Sequence, residues 1–202
     1  IASTEGKKSR KIVEYGINAL KAVFHRGAVD ADGKTGDGAG IHLEIPSDFF
    51  SEKIELTGHS HDGSEICVGM IFLPRNNYEA QENARTLVES ELTKSNFNIY
   101  GWRQVPVNPK VLGEKANLTR PEITQVLFKH NNKNLNGKDL ERKLYESRRK
   151  IEKEAIKNAI DGFYICSLSS KSIIYKGMFL AESIAEFYED LNDKRFISRY
   201  AI

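Results

Sequence analysis

The stretch ICVGMIFL at residues 66–73 is a continuous apolar run that Pro74 closes. A run of this length bounded by a proline is typical of a strand that is covered on both faces, because a half-exposed strand would alternate apolar and polar residues. On either side of this run, the apolar spacing predicts helices at residues 9–24, 48–56 and 78–93 and strands at residues 41–45 and 98–105.

The second half of the chain continues this mixture. We predict a strand at residues 123–128, a hairpin of strands 163–168 and 172–178, a helix at 180–191, and a strand beginning within 196–202. A long charged helix is predicted at 139–159, with its inward residues being Leu140, Leu144, Ile151, Ala155 and Ile156. Residues 106–121 contain three prolines and are predicted to be irregular. Because strands and helices do not alternate regularly, we expect one α+β layered domain over 1–202 rather than a doubly wound sheet.

Composition excludes several functional classes. The net charge is +2 and basic residues are interleaved with acidic ones, which gives no electrostatic footprint for nucleic acid. No apolar run approaches the roughly 20 residues that cross a bilayer, and the first residues lack the apolar core of a signal peptide. Cys67 and Cys166 each lie in an apolar run, so we expect buried free thiols of a cytoplasmic protein and no metal site.

A glycine-rich stretch, GKTGDGAG at residues 33–40, invites comparison with a phosphate-binding loop. The Gly33-Lys34-Thr35 triplet imitates the end of a Walker A motif, but the first glycine of that motif would fall on Ala28. The stretch also follows a predicted helix and opens a predicted strand, whereas a phosphate loop does the reverse. We therefore predict a tight backbone turn that needs positive φ or close approach, with nucleotide binding as a weak alternative.

Two further short motifs have simple structural explanations. His59 and His61 form a His-x-His pair with Asp62 beside it, in a stretch that we interpret as a solvated loop rather than a metal site. The segment His25-Arg26-Gly27 ends the first predicted helix, where basic side chains interact favourably with the negative end of the helix dipole.

A family resemblance rests on a series of segments that occur in order along the chain. They are HRGA (25–28), TGDGAGI (35–41), IPSDFF (45–50), FLP (72–74), GWRQVPVN (101–108), RPEI (120–123), RRKIE (148–152), FYICSLS (163–169) and IIYKGM (173–178). Together they resemble the class II, N-terminal-nucleophile glutamine amidotransferase domain of the glutamate synthases. The resemblance covers nearly the whole chain, and no single motif carries it.

The resemblance implies a four-layer αββα sandwich and a defined chemistry. An N-terminal cysteine attacks the side-chain amide of L-glutamine with its own α-amine as base, and ammonia leaves. In the parent enzyme, the remaining synthase domains receive this ammonia and react it with 2-oxoglutarate at an FMN site. A 3Fe-4S cluster supplies electrons from an NADPH-oxidising subunit or from ferredoxin. The parent is implied to be cytoplasmic, with a plastid as the alternative compartment.

The resemblance also assigns site residues. Arg26 matches the arginine beside the nucleophile, where a cation favours the thiolate. The loop containing Gly36, Asp37, Gly38 and Gly40 is implied to lie near the same site, whereas Trp102 and Arg103 match a family signature without a role.

The family's Cys-Gly-Val-Gly-Phe start would directly precede Ile1, and its oxyanion-hole segment would follow Ile202. We therefore expect a domain truncated at both ends that is inactive alone. The alternatives are a non-catalytic interaction module derived from an amidotransferase and another class II enzyme, one that makes asparagine, purine precursors or glucosamine phosphate.

Overall fold

The computed structural model describes residues 1–202. The helices are α1 (Arg10–Ala22), α2 (Ser47–Glu55), α3 (Tyr78–Lys94), α4 (Glu114–Thr119), α5 (Gly137–Lys157) and α6 (Ile184–Phe187). The strands are β1 (Ala39–Glu44), β2 (Cys67–Leu73), β3 (Phe97–Gln104), β4 (Glu122–His130), β5 (Tyr164–Ser169) and β6 (Ser172–Gly177). The helices predicted in the first half of the chain, the long charged helix and the strands up to β4 are confirmed, with ends that differ by no more than about two residues.

The chain divides into two compact units. The first contains Ile1–Pro46, Val105–Arg120 and Ile174–Ile202, and the second contains Ser47–Gln104 and Pro121–Ile173. Both units combine helices with a sheet, so the predicted α+β class is confirmed. A single domain over 1–202 stays a prediction. None of the helices combines the length and apolar character that crossing a bilayer requires.

The second unit is built on a four-stranded sheet with the order β3-β4-β2-β5, and every neighbouring pair is antiparallel. The apolar run at residues 66–73 forms the inner strand β2, and all of its strand residues are buried except the partly exposed Phe72. Its register pairs Cys67 with Phe128 and Gly69 with Val126. Cys67 and Cys166 are buried free thiols, as predicted.

Helices α3 and α5 contribute to the core of this unit together with the sheet. The cluster contains Cys67, Ile71, Leu73, Ala84, Val88, Leu92, Phe97, Val126, Phe128, Leu140, Leu144, Ile151, Ile165 and Leu168. Four of the residues predicted to face inward from α5 are buried, but Ile156 is 82% exposed. The prediction for Ile156 is therefore wrong, because Ile156 lies about 100° around the helix from Ala155 and so falls off the face that carries the buried residues.

The first unit contains a smaller sheet in which β1 pairs with β6. Residues 198–202 run along β1, where Leu43 pairs with Ala201, and they also pair with the first residues of the chain through Ala2 and Tyr200. The predicted strand within 196–202 is thus present as isolated antiparallel bridges rather than a continuous strand. Helix α1 packs closely against it, because a Cβ added at Gly16 would overlap the Cβ of Ala201.

The predicted hairpin of residues 163–168 and 172–178 is wrong, although both strands exist. Strand β5 pairs with β2 in one sheet, whereas β6 pairs with β1 in the other. The turn between them accounts for the difference, because the hydroxyl of Ser169 accepts hydrogen bonds from the N–H groups of Lys171 (3.0 Å) and Ser172 (3.1 Å). Glu141 accepts from the Ser170 N–H at 2.7 Å, so the side chains take up the groups that a tight hairpin would pair.

The helix predicted at 180–191 is broken into the short α6 and two 3₁₀ turns, at Ala181–Ser183 and Glu189–Asn192. Tyr188 has an extended backbone, with φ −98° and ψ 100°. It pairs with Val107, and its buried hydroxyl donates to the Lys176 carbonyl at 2.8 Å. Residues 106–121 are in turn more regular than predicted, because they contain α4. Tertiary pairing therefore overrides the local helical pattern here.

We expect the first unit to lose stability in acid, because the contacts of Glu44 with Arg199 require the ionised carboxylate. Its side chain is 8% exposed and accepts hydrogen bonds from Arg199 through the backbone N–H (2.6 Å) and the guanidinium Nε (2.9 Å). Burial alone would raise the pKa of Glu44, but the hydrogen bonds from Arg199 outweigh it and hold the pKa below its ordinary value. This carboxylate therefore stabilises the fold above the pKa of the unfolded state, and the stabilisation is lost as pH falls through the folded pKa.

The measurement is urea unfolding of the wild type and of Glu44→Gln at neutral pH and at steps down to about pH 3. The free energy of unfolding should fall less steeply with acid in Glu44→Gln than in the wild type. Parallel curves for the two proteins would show that Glu44 does not contribute to the acid sensitivity.

Candidate active site

Arg26 lies in a short 3₁₀ turn, Phe24–Arg26, that follows α1. The turn is closed by the Gly27 N–H, which donates to the Phe24 carbonyl at 3.1 Å. The Arg26 side chain is exposed and forms no hydrogen bond or ion pair with the rest of the chain. An unpaired guanidinium is therefore available to an anionic group that approaches this end of the first unit.

The structure brings the segment after Arg26 together with the glycine-rich loop. Val29 pairs with Gly36 in an antiparallel bridge, and the Asp37 N–H donates to the Ala28 carbonyl at 3.2 Å. A Cβ added at Gly27 would lie 3.1 Å from Asp37 Oδ1. Arg26 and the loop predicted to lie near it thus belong to one small ribbon.

The glycines of this loop are required by close backbone approach. A Cβ on Gly36 would lie 2.6 Å from the Phe179 carbonyl oxygen, and one on Gly40 would lie 2.8 Å from the Lys176 Cβ. Gly38 has a φ of +123°, a conformation that residues with a side chain rarely adopt. The prediction of a tight turn with positive φ and close approach is confirmed.

The tip of the loop contains a hydrogen-bonded pair that sequence reasoning missed. Asp32 accepts hydrogen bonds from the Thr35 hydroxyl (2.6 Å), the Thr35 N–H (2.7 Å) and the Lys34 N–H (2.9 Å). The Thr35 hydroxyl and these backbone donors hold the pKa of Asp32 well below its ordinary value. The signal in the sequence was the Asp32-Gly33 dipeptide, which is typical of an Asx turn, with a threonine three residues after the aspartate.

The same pair explains why the imitation of a Walker A motif does not provide a phosphate cradle. Such a cradle needs free backbone N–H groups and a free hydroxyl. Here the N–H groups of Lys34 and Thr35 and the Thr35 hydroxyl already donate to Asp32. Thr35 is also only 2% exposed. The geometry therefore argues against nucleotide binding at this loop.

The His-x-His pair lies in the second unit, in a loop without regular secondary structure. His61 Nδ1 is 3.0 Å from Ser51 Oγ and Nε2 is 2.8 Å from the Ser64 carbonyl oxygen, so both ring nitrogens have partners. Asp62 is paired with Lys129 at 2.8 Å, an interaction that lowers the pKa of Asp62. No group of three or more His, Cys, Asp or Glu side chains is arranged to hold a metal ion.

Two signature residues had no assigned role in the sequence analysis, Trp102 and Arg103. Both connect β3 to neighbouring elements of the second unit. Trp102 packs against the core cluster, and its Nε1 donates to Glu89 on α3 at 2.7 Å. Arg103 donates to Gln125 Oε1 on β4 at 2.7 Å and lies over the Phe49 ring. These contacts give both side chains a structural role there.

Known proteins are similar to this chain over its whole length. The model of the family described as glutamine amidotransferases class-II matches residues 1–202. The chain is similar to the glutamate synthase [NADPH] large chain of Azospirillum brasilense, with 54% identity over 202 residues that cover 100% of this chain and 13% of the relative. It is also similar to the chloroplastic ferredoxin-dependent glutamate synthase of Spinacia oleracea, with 38% identity over 204 residues that cover 100% of this chain and 12% of the relative.

The chain thus spans about an eighth of the length of the curated relatives that it matches. Within that eighth, the family match extends from the first to the last residue, and it includes both Arg26 and the glycine loop that the fold joins into one ribbon. The chain belongs to the class-II glutamine amidotransferases.

Proposed function

We propose that this chain is the glutamine-hydrolysing domain of a glutamate synthase. The observation that carries the proposal is the 54% identity with the Azospirillum brasilense large chain over all 202 residues. Ferredoxin-dependent glutamate synthases from plants and algae also align over the whole chain. These likenesses favour a glutamate synthase over class II enzymes that make asparagine, purine precursors or glucosamine phosphate.

The proposed reaction consumes water and L-glutamine and yields glutamate and ammonia. A cysteine thiolate attacks the side-chain amide carbon, ammonia leaves, and water hydrolyses the resulting thioester. Neither cysteine of this chain is suited to the attack. Cys67 and Cys166 are 0% and 3% exposed, and burial raises the pKa of the Cys67 thiol well above its ordinary value. The 202 residues by themselves are therefore proposed to be inactive.

The pairing within the first unit supports a position for the nucleophile. Ala2 pairs with Tyr200 and Leu43 pairs with Ala201, both antiparallel. The segment around Tyr200 and Ala201 therefore lies between the first residues of the chain and β1. If both registers continue, the fifth residue before Ile1, where the family has its cysteine, lies opposite Gly38 with this one segment between them. Two strand spacings, roughly 10 Å, would separate them. The glycine loop at the start of β1 would then lie at the same end of the sheet as the nucleophile.

Arg26 is proposed to stabilise the thiolate of that cysteine. Its guanidinium is unpaired, and its ribbon is attached to the glycine loop through the bond from the Asp37 N–H to the Ala28 carbonyl. A cation near a thiol favours the ionised form and so increases the reactive fraction at neutral pH.

Neutralising Arg26 should slow glutamine hydrolysis in the full-length polypeptide. Arg26→Gln is expected to lower kcat/KM by about tenfold to a hundredfold, which is about 1.4–2.7 kcal/mol of transition-state stabilisation. The acidic limb of the pH profile should move to higher pH, because the thiol pKa rises without the cation. Arg26→Lys keeps the charge and should lose less. The measurement is steady-state release of glutamate from glutamine as a function of pH.

The control for charge alone is Lys34→Gln, which removes one exposed cation from the neighbouring glycine-rich loop. It should leave the pH profile unchanged. An unaltered pH profile in Arg26→Gln would contradict the proposed role of Arg26.

The parent enzyme is proposed to pass ammonia to 2-oxoglutarate in its other domains, which would contain FMN and a 3Fe-4S cluster. Iron–sulfur clusters are held by several cysteine thiolates, and two buried cysteines in this chain do not supply such a set. Residues outside this chain would therefore hold the cluster. Electrons would come from an NADPH-oxidising subunit or from ferredoxin, in the cytoplasm or in a plastid.

A further inference from the structure

We infer that Asp32 and Thr35 are positioning residues for glutamine hydrolysis, holding the glycine loop and Arg26 in place through the start of α4. The inference rests on the proposed function. It concerns a hydrogen-bonded pair that is remote from the proposed nucleophile in sequence and does not itself need to touch glutamine.

The Thr35 hydroxyl connects the loop to α4. It donates to Asp32 Oδ2 at 2.6 Å and accepts from the Ala116 N–H at 3.3 Å. The Ala116 N–H is one of the free donors in the first turn of α4, so the threonine satisfies a group that the helix leaves unpaired. Because Thr35 is 2% exposed, water cannot easily replace this link.

The residue that precedes α4 must be glycine, because the pair occupies the space that a side chain would need. A Cβ added at Gly113 would overlap Asp32 Oδ2 and Thr35 Oγ1. On the surface, Lys115 also pairs with Asp30 at 2.8 Å. The loop tip is thus attached to α4 by the buried hydroxyl of Thr35, which the Asp32 carboxylate holds in place. The solvent-exposed ion pair between Lys115 and Asp30 adds a second contact on the surface.

The position of Thr35 is transmitted to the site by a short path of backbone contacts. The next residue, Gly36, pairs with Val29 and lies against the backbone of Phe179. Asp37 then bonds to Ala28, two residues from Arg26. A displaced Thr35 would therefore shift both sides of the ribbon. Val29 is 55% exposed, so the ribbon has little apolar burial that could hold its geometry without the hydrogen-bonded pair.

The test uses the full-length polypeptide and compares Thr35→Val with Thr35→Ser. Valine keeps the shape but removes both hydrogen bonds of the hydroxyl, whereas serine keeps the hydroxyl. Thr35→Val should lower kcat for glutamine hydrolysis by about tenfold to a hundredfold with KM changed less, because small displacements of catalytic groups have effects of this size. The rate of inactivation by an electrophilic glutamine analogue should fall in parallel, and Thr35→Ser should restore most of both rates.

The matched control is Thr119→Val on the same helix, where the exposed hydroxyl donates only to carbonyls of its own α4. It should hydrolyse glutamine at the wild-type rate. Asp32→Asn provides a second variant if Thr35→Val does not fold. It keeps Oδ1 for the two backbone N–H groups and removes the acceptor of the Thr35 hydroxyl, so kcat should fall in the same direction.

The outcomes separate this inference from the proposed function. A wild-type protein without glutaminase activity would overturn the proposed function and this inference with it. An active wild type, with Thr35→Val or Asp32→Asn as active as Thr119→Val, would overturn the inference alone. Loss in Thr35→Val that Thr35→Ser does not restore would also overturn it, since the hydroxyl would then not be the group that matters.

Discussion

Gly36→Ala should reduce glutamine hydrolysis by the full-length polypeptide by about a hundredfold or more in kcat/KM. The added Cβ would lie 2.6 Å from the Phe179 carbonyl oxygen, 2.7 Å from its carbon and 3.0 Å from the Leu180 nitrogen. These are backbone atoms, so no flexible side chain can move aside. The loop itself must shift, and with it the bridge to Val29 and the position of Arg26.

Gly33→Ala is the control for this substitution in the same loop. Gly33 has a φ of +69°, but a Cβ there meets nothing within 4 Å. The alanine should therefore cost about 1–2 kcal/mol of backbone strain without displacing the ribbon, and activity should stay close to that of the wild type. The measurement is steady-state glutaminase kinetics of both variants. Equal activity of Gly36→Ala and Gly33→Ala would show that the close approach to Phe179 is not needed for the reaction.

Leu144→Ala should destabilise the chain by about 2–5 kcal/mol, because it leaves a cavity in a close-packed core. Leu144 is 0% exposed and lies in the cluster that α3 and α5 form with the four-stranded sheet. Such a loss is a large fraction of the roughly 5–15 kcal/mol by which native proteins are stable. Urea unfolding can be followed by the fluorescence of Trp102, the single tryptophan of this sequence, which packs against the same cluster.

The neighbouring residue on α5 provides the control for the loss of an apolar side chain. Tyr145 is 62% exposed, and Tyr145→Ala should change the free energy of unfolding by no more than about 0.5 kcal/mol. A destabilisation by Leu144→Ala no greater than that of Tyr145→Ala would show that α5 does not pack on the sheet as described.

Much of the second unit could be predicted from its sequence, because the apolar pattern there reports burial directly. The run at residues 66–73 is apolar throughout since β2 lies between β4 and β5 and is covered on both faces. The stripe from Leu140 to Ala155 has helical spacing for the same reason. Ile156 is apolar but lies five residues after Ile151, outside that helical spacing, so its apolar identity alone did not indicate burial.

Elements whose conformation depends on distant partners could not be predicted. The segment 180–191 has a helical pattern, but Tyr188 is drawn into an extended conformation by its pairing with Val107. The two strands on either side of Ser170 were expected to pair with each other because hairpins are local. Their partners are instead β2 and β1, which lie far away in the sequence.

The candidate site was predicted in part. Arg26 and the loop of Gly36, Asp37, Gly38 and Gly40 were assigned by family resemblance, and the structure joins them in one ribbon. Their catalytic roles stay predictions. The pair of Asp32 and Thr35 was not predicted, because Gly33-Lys34-Thr35 also resembles the end of a Walker A motif, whereas the Asx turn was the relevant signal.

Treatment of the full-length protein with an electrophilic glutamine analogue, followed by measurement of its intact mass and its peptides, would identify the nucleophile. We predict one label per chain, on a cysteine located five residues before Ile1, with the buried Cys67 and Cys166 unlabelled. Absence of any label, or a label on Cys67 or Cys166, would contradict the proposal that this chain is the glutamine-hydrolysing domain of a glutamate synthase.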